Sequence, residues 1–323
     1  MIRIGNIELD HGLMLAPMAG FSDHAMRKIC HGYGCEYAVT EMVSAKAVVY
    51  GDKKTAALAR IAADEGPVAL QIFGSEPSVM AEAAAVLASG VSGGVAPAAI
   101  DINMGCPVPK IYNNGEGSAL MKTPTLIYDI IAAVSRAISI PCTVKMRLGI
   151  DPSHVNILEC AMAAEEAGAQ LLTVHGRTRV EMYSGKARFE EIENVKKCLH
   201  IPVVANGDIT NAHEALAVLR QTGADGIAIG RGAVGNPFVF AEIASALEGR
   251  DYVAPSLDER MAIALEQLSL AIEEKGESVA VLEARKQIAL YFRSFRGAAE
   301  LRAEINRATT LDDVKSALRL ICK

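Results

Sequence analysis

The fold is decided by Ala98-Ala99-Ile100-Asp101-Ile102-Asn103-Met104-Gly105-Cys106-Pro107. Residues 98–102 are apolar except for Asp101, and the run stops abruptly in polar and reactive side chains. Gly105 permits a tight turn and Pro107 ends it. The stretch reads as a buried strand with a thiol at its mouth, where a scaffold places a residue that must meet a substrate. Cys106 in such a place serves as nucleophile or as proton donor. The stretch alone does not choose between them.

Similar apolar, β-branched runs recur at intervals of roughly 25 to 45 residues, the spacing of strand-plus-helix units. They cover 13–17, 37–40, 68–73, 99–103, 143–147, 171–175, 203–206 and 226–230. Amphipathic helical patterns separate them. One spans 157–167 and stops at Gly168; another spans 211–221, with Thr210 as its cap and Gly223 as its stop. Eight buried strands, each followed by a helix, define a (β/α)8 TIM barrel. An open doubly wound sheet fits less well, because the first strand lacks a Gly-x-Gly-x-x-Gly turn.

The pattern changes after Phe240. From residue 257 onward only helical periodicity is present, over 260–275, 279–295, 298–308 and 311–321. The expected organisation is a catalytic barrel over 1–248 and a small all-α C-terminal domain over 249–323, with 249–255 as the linker. The helical part is too small to be confidently independent and is expected to pack on the barrel.

Composition narrows the class further. The chain has 323 residues, is half apolar and carries 22% charged residues, so a large core is available. Its seven cysteines are scattered and odd in number, and no apolar leader segment precedes them. Free thiols in a reducing cytoplasm are the expectation. No run of about eighteen apolar residues suggests a membrane span. Cys30, His31 and Cys35 lie close together, but no second ligand pair stands at zinc spacing, so no metal site is expected. The net charge of −6 argues against non-specific coating of nucleic acid, yet leaves room for a local basic patch. No obligate protein partner is evident.

In a barrel of this kind the C-terminal ends of the strands build the active site. The seventh and eighth runs end in Asn206-Gly207-Asp208 and Gly230-Arg231-Gly232. These are the positions where such barrels bind phosphate, through backbone N–H groups that small glycines bring close. Lys145 faces the mouth, either to stabilise a reduced flavin or to form a Schiff base. His175 either bonds a cofactor or caps its strand. Gln71 either meets a heterocycle edge or bonds neighbouring backbone. Asn103 ends the fourth run.

With these residues assembled, the chain resembles the tRNA-dihydrouridine synthases, most closely their bacterial B-type branch. The resemblance rests on Ala16-Pro17-Met18-Ala19-Gly20 with Asp23, Glu41-Met42, Gln71-Ile72-Phe73-Gly74, and Asp101 to Pro107 with Lys110. It continues through Gly117 to Met121, Lys145-Met146-Arg147, His175-Gly176-Arg177-Thr178-Arg179, Tyr183-Ser184-Gly185, Asn206 to Ile209 and Gly230-Arg231-Gly232. Ser22 and Phe238 depart from the usual Thr and Trp.

The resemblance implies FMN as cofactor, NADPH as reductant, and tRNA uridines as substrate. It implies that Pro17, Met18 and Ala19 line the flavin, and that Gln71, Lys145 and His175 bond its ring. Asn206, Gly207, Asp208, Gly230 and Arg231 would hold its phosphate, and Cys106 would be the proton donor. Asn103 would bond the uracil edge; Lys110, Arg147, Arg177 and Arg179 near the mouth, and Lys286, Arg293 and Arg296 in the tail, are the expected tRNA contacts. Lys286 and Arg293 are expected on one helical face. Three rival readings remain at this point: an FMN-dependent reductase of a small pyrimidine, a tRNA-binding protein with an inactive barrel, and a Schiff-base lyase.

Overall fold

The computed structural model describes residues 1–322. Eight parallel strands form its centre: β1 (Leu13–Leu15), β2 (Tyr37–Val39), β3 (Val68–Phe73), β4 (Ala99–Met104), β5 (Cys142–Arg147), β6 (Leu171–His175), β7 (Val203–Asn206) and β8 (Gly226–Ile229). Each pairs with the next, and β8 pairs with β1, with Ile227 opposite Leu13, so the sheet closes. A two-residue strand, Val43–Ser44, pairs with the C-terminal end of β3, beyond its pairing with β2. The helices between strands are α1 (His24–Gly32), α2 (Pro77–Leu87), α3 (Pro124–Ala137), α4 (Ile157–Glu166), α5 (Glu190–Cys198) and α6 (Ala212–Thr222), with α7 (Val239–Leu247) after β8. Two further short helices, Ala45–Val49 and Lys53–Leu58, fill the β2–β3 connection.

Alternation along each strand sorts the side chains into two cores. Ile100, Ile102, Val144, Met146, Leu172 and Val174 face the helices. Met14, Ala16, Tyr37, Ala69, Ala99, Leu171, Val204 and Ala228 fill the barrel interior. Residues Ile2–Ile4 and Ile7–Leu9 form a hairpin whose Ile2, Ile4 and Leu9 join that interior core. The hairpin seals the N-terminal end of the barrel: a Cβ on Gly12 would lie 2.6 Å from Ile2 and 2.9 Å from the backbone of Gly226.

Helix ends follow local chemistry. Gly223 ends α6 in the left-handed conformation, as its position in the sequence suggests. The start is corrected by one residue. Asn211, not Thr210, caps α6 by accepting the N–H of Glu214 at 2.9 Å; Thr210 instead donates its amide and hydroxyl to the Glu214 carboxylate.

The tail comprises α8 (Leu257–Lys275), α9 (Glu277–Ile288), α10 (Ala298–Arg307) and α11 (Leu311–Leu318). It shares a core with the barrel through Ala25 of α1 and Phe238, which meets Tyr33 edge-on at 4.7 Å and Tyr291 at 6.3 Å. The single helix read over 279–295 is two pieces. After Ile288 the chain tightens to a 3-10 turn, Ala289–Phe292, which buries the adjacent Tyr291 and Phe292. Lys286 and Arg293 therefore do not share one α-helical face.

Candidate active site

The open, C-terminal end of the barrel is lined by a ladder of polar residues set by strand register. Gln71 lies opposite Asp101, Asn103 opposite Lys145, and His175 opposite both Arg147 and Asn206. All but Lys145 are at most 8% exposed, although each is polar. Buried polar groups need partners, and most of these have them. Gln71 Nε2 donates to Asp101 Oδ2 at 2.7 Å, and Thr143 Oγ1 donates to Asp101 Oδ1 at 2.6 Å. Asn103 Nδ2 donates to Gln71 Oε1 at 2.8 Å. Asn206 Nδ2 donates to the carbonyl of Ala228 at 2.7 Å.

Cys106 sits just past β4, half-buried. Its N–H donates to Asn103 Oδ1 at 2.9 Å, and its carbonyl accepts Ser118 Oγ at 2.8 Å. Gly117 must be glycine here: its φ is +60° and a Cβ would lie 3.0 Å from that of Cys106. Burial pushes the thiol pKa up, more than the Val108 N–H and the charges of Arg147 and Lys145 pull it down. The group is a thiol, not a thiolate, at neutral pH.

Lys145 is the exception in the ladder. It has neither hydrogen bond nor ion pair among the described residues. Burial, and then the Arg147 guanidinium, lower its pKa to about 7, against the opposing pull of Asp101 and Cys106. A cation placed without an acceptor at the centre of the mouth calls for an electron-rich ligand, and the fused ring of a flavin supplies one. His175 is held far below its usual pKa by burial and by Lys145, Arg147, Arg177 and Arg231, so it is neutral.

The β7 and β8 ends meet closely. Gly207 has φ +131° and Asp208 has φ +47°. A Cβ on Gly232 would stand 2.2 Å from the carbonyl oxygen of Ile209. Backbone cannot give way there, so Gly232→Ala is expected to cost roughly 2–3 kcal/mol. A lowered urea midpoint with an unchanged m-value checks this. Gly230 packs beside Met18, whose Sδ lies 3.5 Å from a Gly230 Cβ position, so the β1 loop and β8 loop form one wall. Pro17 and Met18 are half-buried in that wall, and Ala19 is exposed at its lip.

Two expected tRNA contacts are buried. Arg177 is 1% exposed. Its guanidinium donates to Asp208 at 2.6 Å and to the carbonyls of Ser184 and Gly185 at 3.0 and 2.8 Å. Arg147 is also buried and donates to the carbonyls of Gly105, Thr178 and Met182. The Arg177 guanidinium is committed to fixing loops through all three nitrogens, whereas Arg147 fixes loops through Nε and Nη1 alone. Asp208, read as a phosphate-end residue, accepts Arg177 and the Ala187 N–H, with Arg231 3.6 Å away. The sequence pattern marked these residues as functional without revealing that they bond one another.

Around the rim, Lys110 and Arg231 are exposed, and Arg179 lies 3.6 Å above the ring of Tyr112. Tyr183, which stood only within a motif of the resemblance, is 53% exposed, with Arg231 4.6 Å from its centroid. From the tail, Lys286 reaches the β1 loop, 4.6 Å above the Phe21 ring, while Arg293 and Arg296 are exposed beyond it. No cluster of ligating side chains able to hold a metal occurs among the described residues, and none of the described helices is long and apolar enough to cross a membrane.

A closed barrel whose open end combines an unpaired lysine, a protonated cysteine and converging glycine loops belongs to the (β/α)8-barrel oxidoreductases. Comparison with known proteins narrows this. The chain matches the family described as Dihydrouridine synthase (Dus) over residues 14–322, and it belongs to that family. It is 41% identical over 308 residues to "Probable tRNA-dihydrouridine synthase" of Rickettsia conorii, covering 95% of this chain and 92% of that one. It is 41% identical over 306 residues to "tRNA-dihydrouridine synthase B" of Pseudomonas putida, covering 94% and 89%. Membership makes the protein a flavin-dependent oxidoreductase.

Among solved structures, 6-hydroxypseudooxynicotine amine oxidase from Pseudomonas geniculata N1 superposes with a TM-score of 0.59 at 14% identity, covering 77% of this chain and 49% of that one. Histamine dehydrogenase from Rhizobium sp. 4-9 gives 0.56 at 14%, covering 88% and 50%. The chain spans about half the length of each, and the likeness is one of barrel fold.

Proposed function

We propose that this protein reduces uridines of tRNA to 5,6-dihydrouridine in the cytoplasm, with FMN as its resident flavin and NADPH as the reductant. The observation that carries the reading is Cys106 just past the end of β4, its backbone fixed by Asn103 and Ser118, next to the β5 strand on which Lys145 stands opposite Asn103. Saturating the uracil ring takes a hydride at carbon 6 and a proton at carbon 5. A flavin held there would supply the hydride when reduced. The Cys106 thiol donates the proton to carbon 5, for which a raised pKa is the right direction. A nucleophilic role would require a lowered one. Arg147 holds the Cys106 loop through the Gly105 carbonyl, and Asn103 holds it through two N–H groups.

Pro17, Met18, Ala19, Gln71, Lys145 and His175 would hold the ring. Asn206, Gly207, Asp208, Gly230 and Arg231 would surround the phosphate end, with the Arg231 side chain 59% exposed and available. The exposed cations Lys110, Lys286, Arg293 and Arg296, with the half-buried Arg179 between Lys110 and the β6 end, suit a polyanion that spans the barrel mouth and the tail. The purified protein is expected to be yellow and to form dihydrouridine in unmodified tRNA with NADPH. Turnover of free uridine or uracil at a comparable rate would favour the small-molecule reading instead. Affinity for tRNA should fall steeply with added salt, with a slope reduced by about one in the Arg293→Gln variant. A flat salt response would remove the basic surface from the account.

A further inference from the structure

The buried carboxylate of Asp101 lies below the site and takes no part in the chemistry above. We propose that it is a positioning residue: through Gln71 it sets the hydrogen-bond polarity of Asn103, so that Asn103 offers an incoming pyrimidine an N–H and never a carbonyl. This rests on the uridine-reducing reading for its consequence, but not for its geometry.

The argument follows from what each group is able to donate. A carboxylate only accepts. Its oxygens take Thr143 Oγ1 at 2.6 Å and Gln71 Nε2 at 2.7 Å. The Gln71 amide is therefore pinned with its NH2 toward Asp101 and its carbonyl toward Asn103. That carbonyl takes Asn103 Nδ2 at 2.8 Å, which pins the second amide in turn. Asn103 Oδ1 then faces the chain beyond β4 and takes the N–H groups of Gly105 at 3.2 Å and Cys106 at 2.9 Å. Both lone pairs of that oxygen are used. What remains on Asn103 is one N–H of its NH2 group.

An N–H meets a carbonyl on the ring edge and opposes an amino group. Uracil carries a carbonyl at the carbon where cytosine carries an exocyclic amine, so the arrangement selects uridine over cytidine. An unmatched donor in a buried site is costly, which is how such a site discriminates. The same chain fixes the backbone of Cys106, so one carboxylate governs both base choice and placement of the thiol.

The test uses Asp101→Asn, in which the new amide is able to donate or accept and the pin on Gln71 is lost. Alkylation of Cys106 by iodoacetamide, read by mass spectrometry of its own peptide, is expected to speed up about fivefold as Asn103 lets go of the loop. In the Asp101→Asn/Gln71→Glu double variant the carboxylate moves to position 71, accepts from both asparagines, and returns the alkylation rate to the wild-type value. For catalysis, Asp101→Asn is expected to keep its flavin and lose about tenfold in tRNA turnover. It should also narrow the gap in inhibition between tRNA transcripts bearing uridine and cytidine at the target position.

An unchanged alkylation rate, or a double variant no slower than the single one, overturns the proposal. So does an unchanged uridine-to-cytidine gap. If Asp101→Asn does not fold, Gln71→Met cuts the link between Asp101 and Asn103 by removing the acceptor of Asn103 Nδ2, and a wild-type alkylation rate there overturns the proposal as well. Wild-type protein that fails to reduce tRNA would refute the functional reading alone, since the alkylation results stand without it.

Discussion

Cys106→Ala should leave a yellow protein that still oxidises NADPH yet forms dihydrouridine at least about a hundredfold more slowly, the usual worth of a placed general acid. The reasoning is local. Cys106 reaches the mouth by its side chain alone, while its backbone is held by Asn103 and Ser118. Removing the sulfur therefore leaves the loop anchored and the proposed flavin walls at the ends of β1, β7 and β8 untouched. Cys106→Ser separates acid strength from size, because a hydroxyl of similar shape is far less acidic than a thiol. Its rate should stay close to that of the alanine variant. Rapid mixing of pre-reduced protein with tRNA, followed by the flavin absorbance, measures the step without interference from reductant binding. A wild-type rate in either variant would remove the acid role from Cys106.

Lys145→Met carries the second large effect. A unit charge beside the negative charge gained on reduction is worth about 4 kcal/mol at an effective dielectric near 20. For a two-electron couple this corresponds to a fall of about 90 mV in midpoint potential. Spectroelectrochemistry of the loaded variant reads it directly.

The ligand-free protein gives an independent check through pH. Lys145 titrates near 7 when folded and near ~10.4 when unfolded. Below pH 7 both states are protonated, and the folded state bears the cost of a buried cation. Between these values the unfolded chain binds more protons, so stability rises with pH across that window. Lys145→Met should abolish this share of the rise in urea midpoint between pH 7 and 9. An identical slope in both proteins would mean that Lys145 is solvated.

Much of this was legible in the amino-acid order. Continuous apolar runs mark strands covered on both faces, and the run at 68–73 coincides with β3. The position of Lys145 among Thr143, Val144 and Met146 already marked it as unusual. What escaped sequence reading is partnership. Nothing in the spacing of Arg177 and Asp208, thirty-one residues apart, says that each satisfies the other. Nor does periodicity show that Asn103 spends its carbonyl on the next turn of its own chain. The 3-10 break after Ile288 was equally hidden, because Tyr291 and Phe292 keep a helical pattern while their burial demands a tighter winding. Such facts depend on which loops come together at the barrel rim, and strand periodicity is silent on that.

The hairpin over residues 2–9 has a kinetic consequence. Ile2, Ile4 and Leu9 continue the packed interior to the closed end of the cylinder, so the site opens at the other end alone. On the proposed function, an electron donor and a bulky RNA would compete for that opening, and each would leave before the other arrives. Initial-rate plots at several fixed RNA concentrations should then run parallel rather than converge.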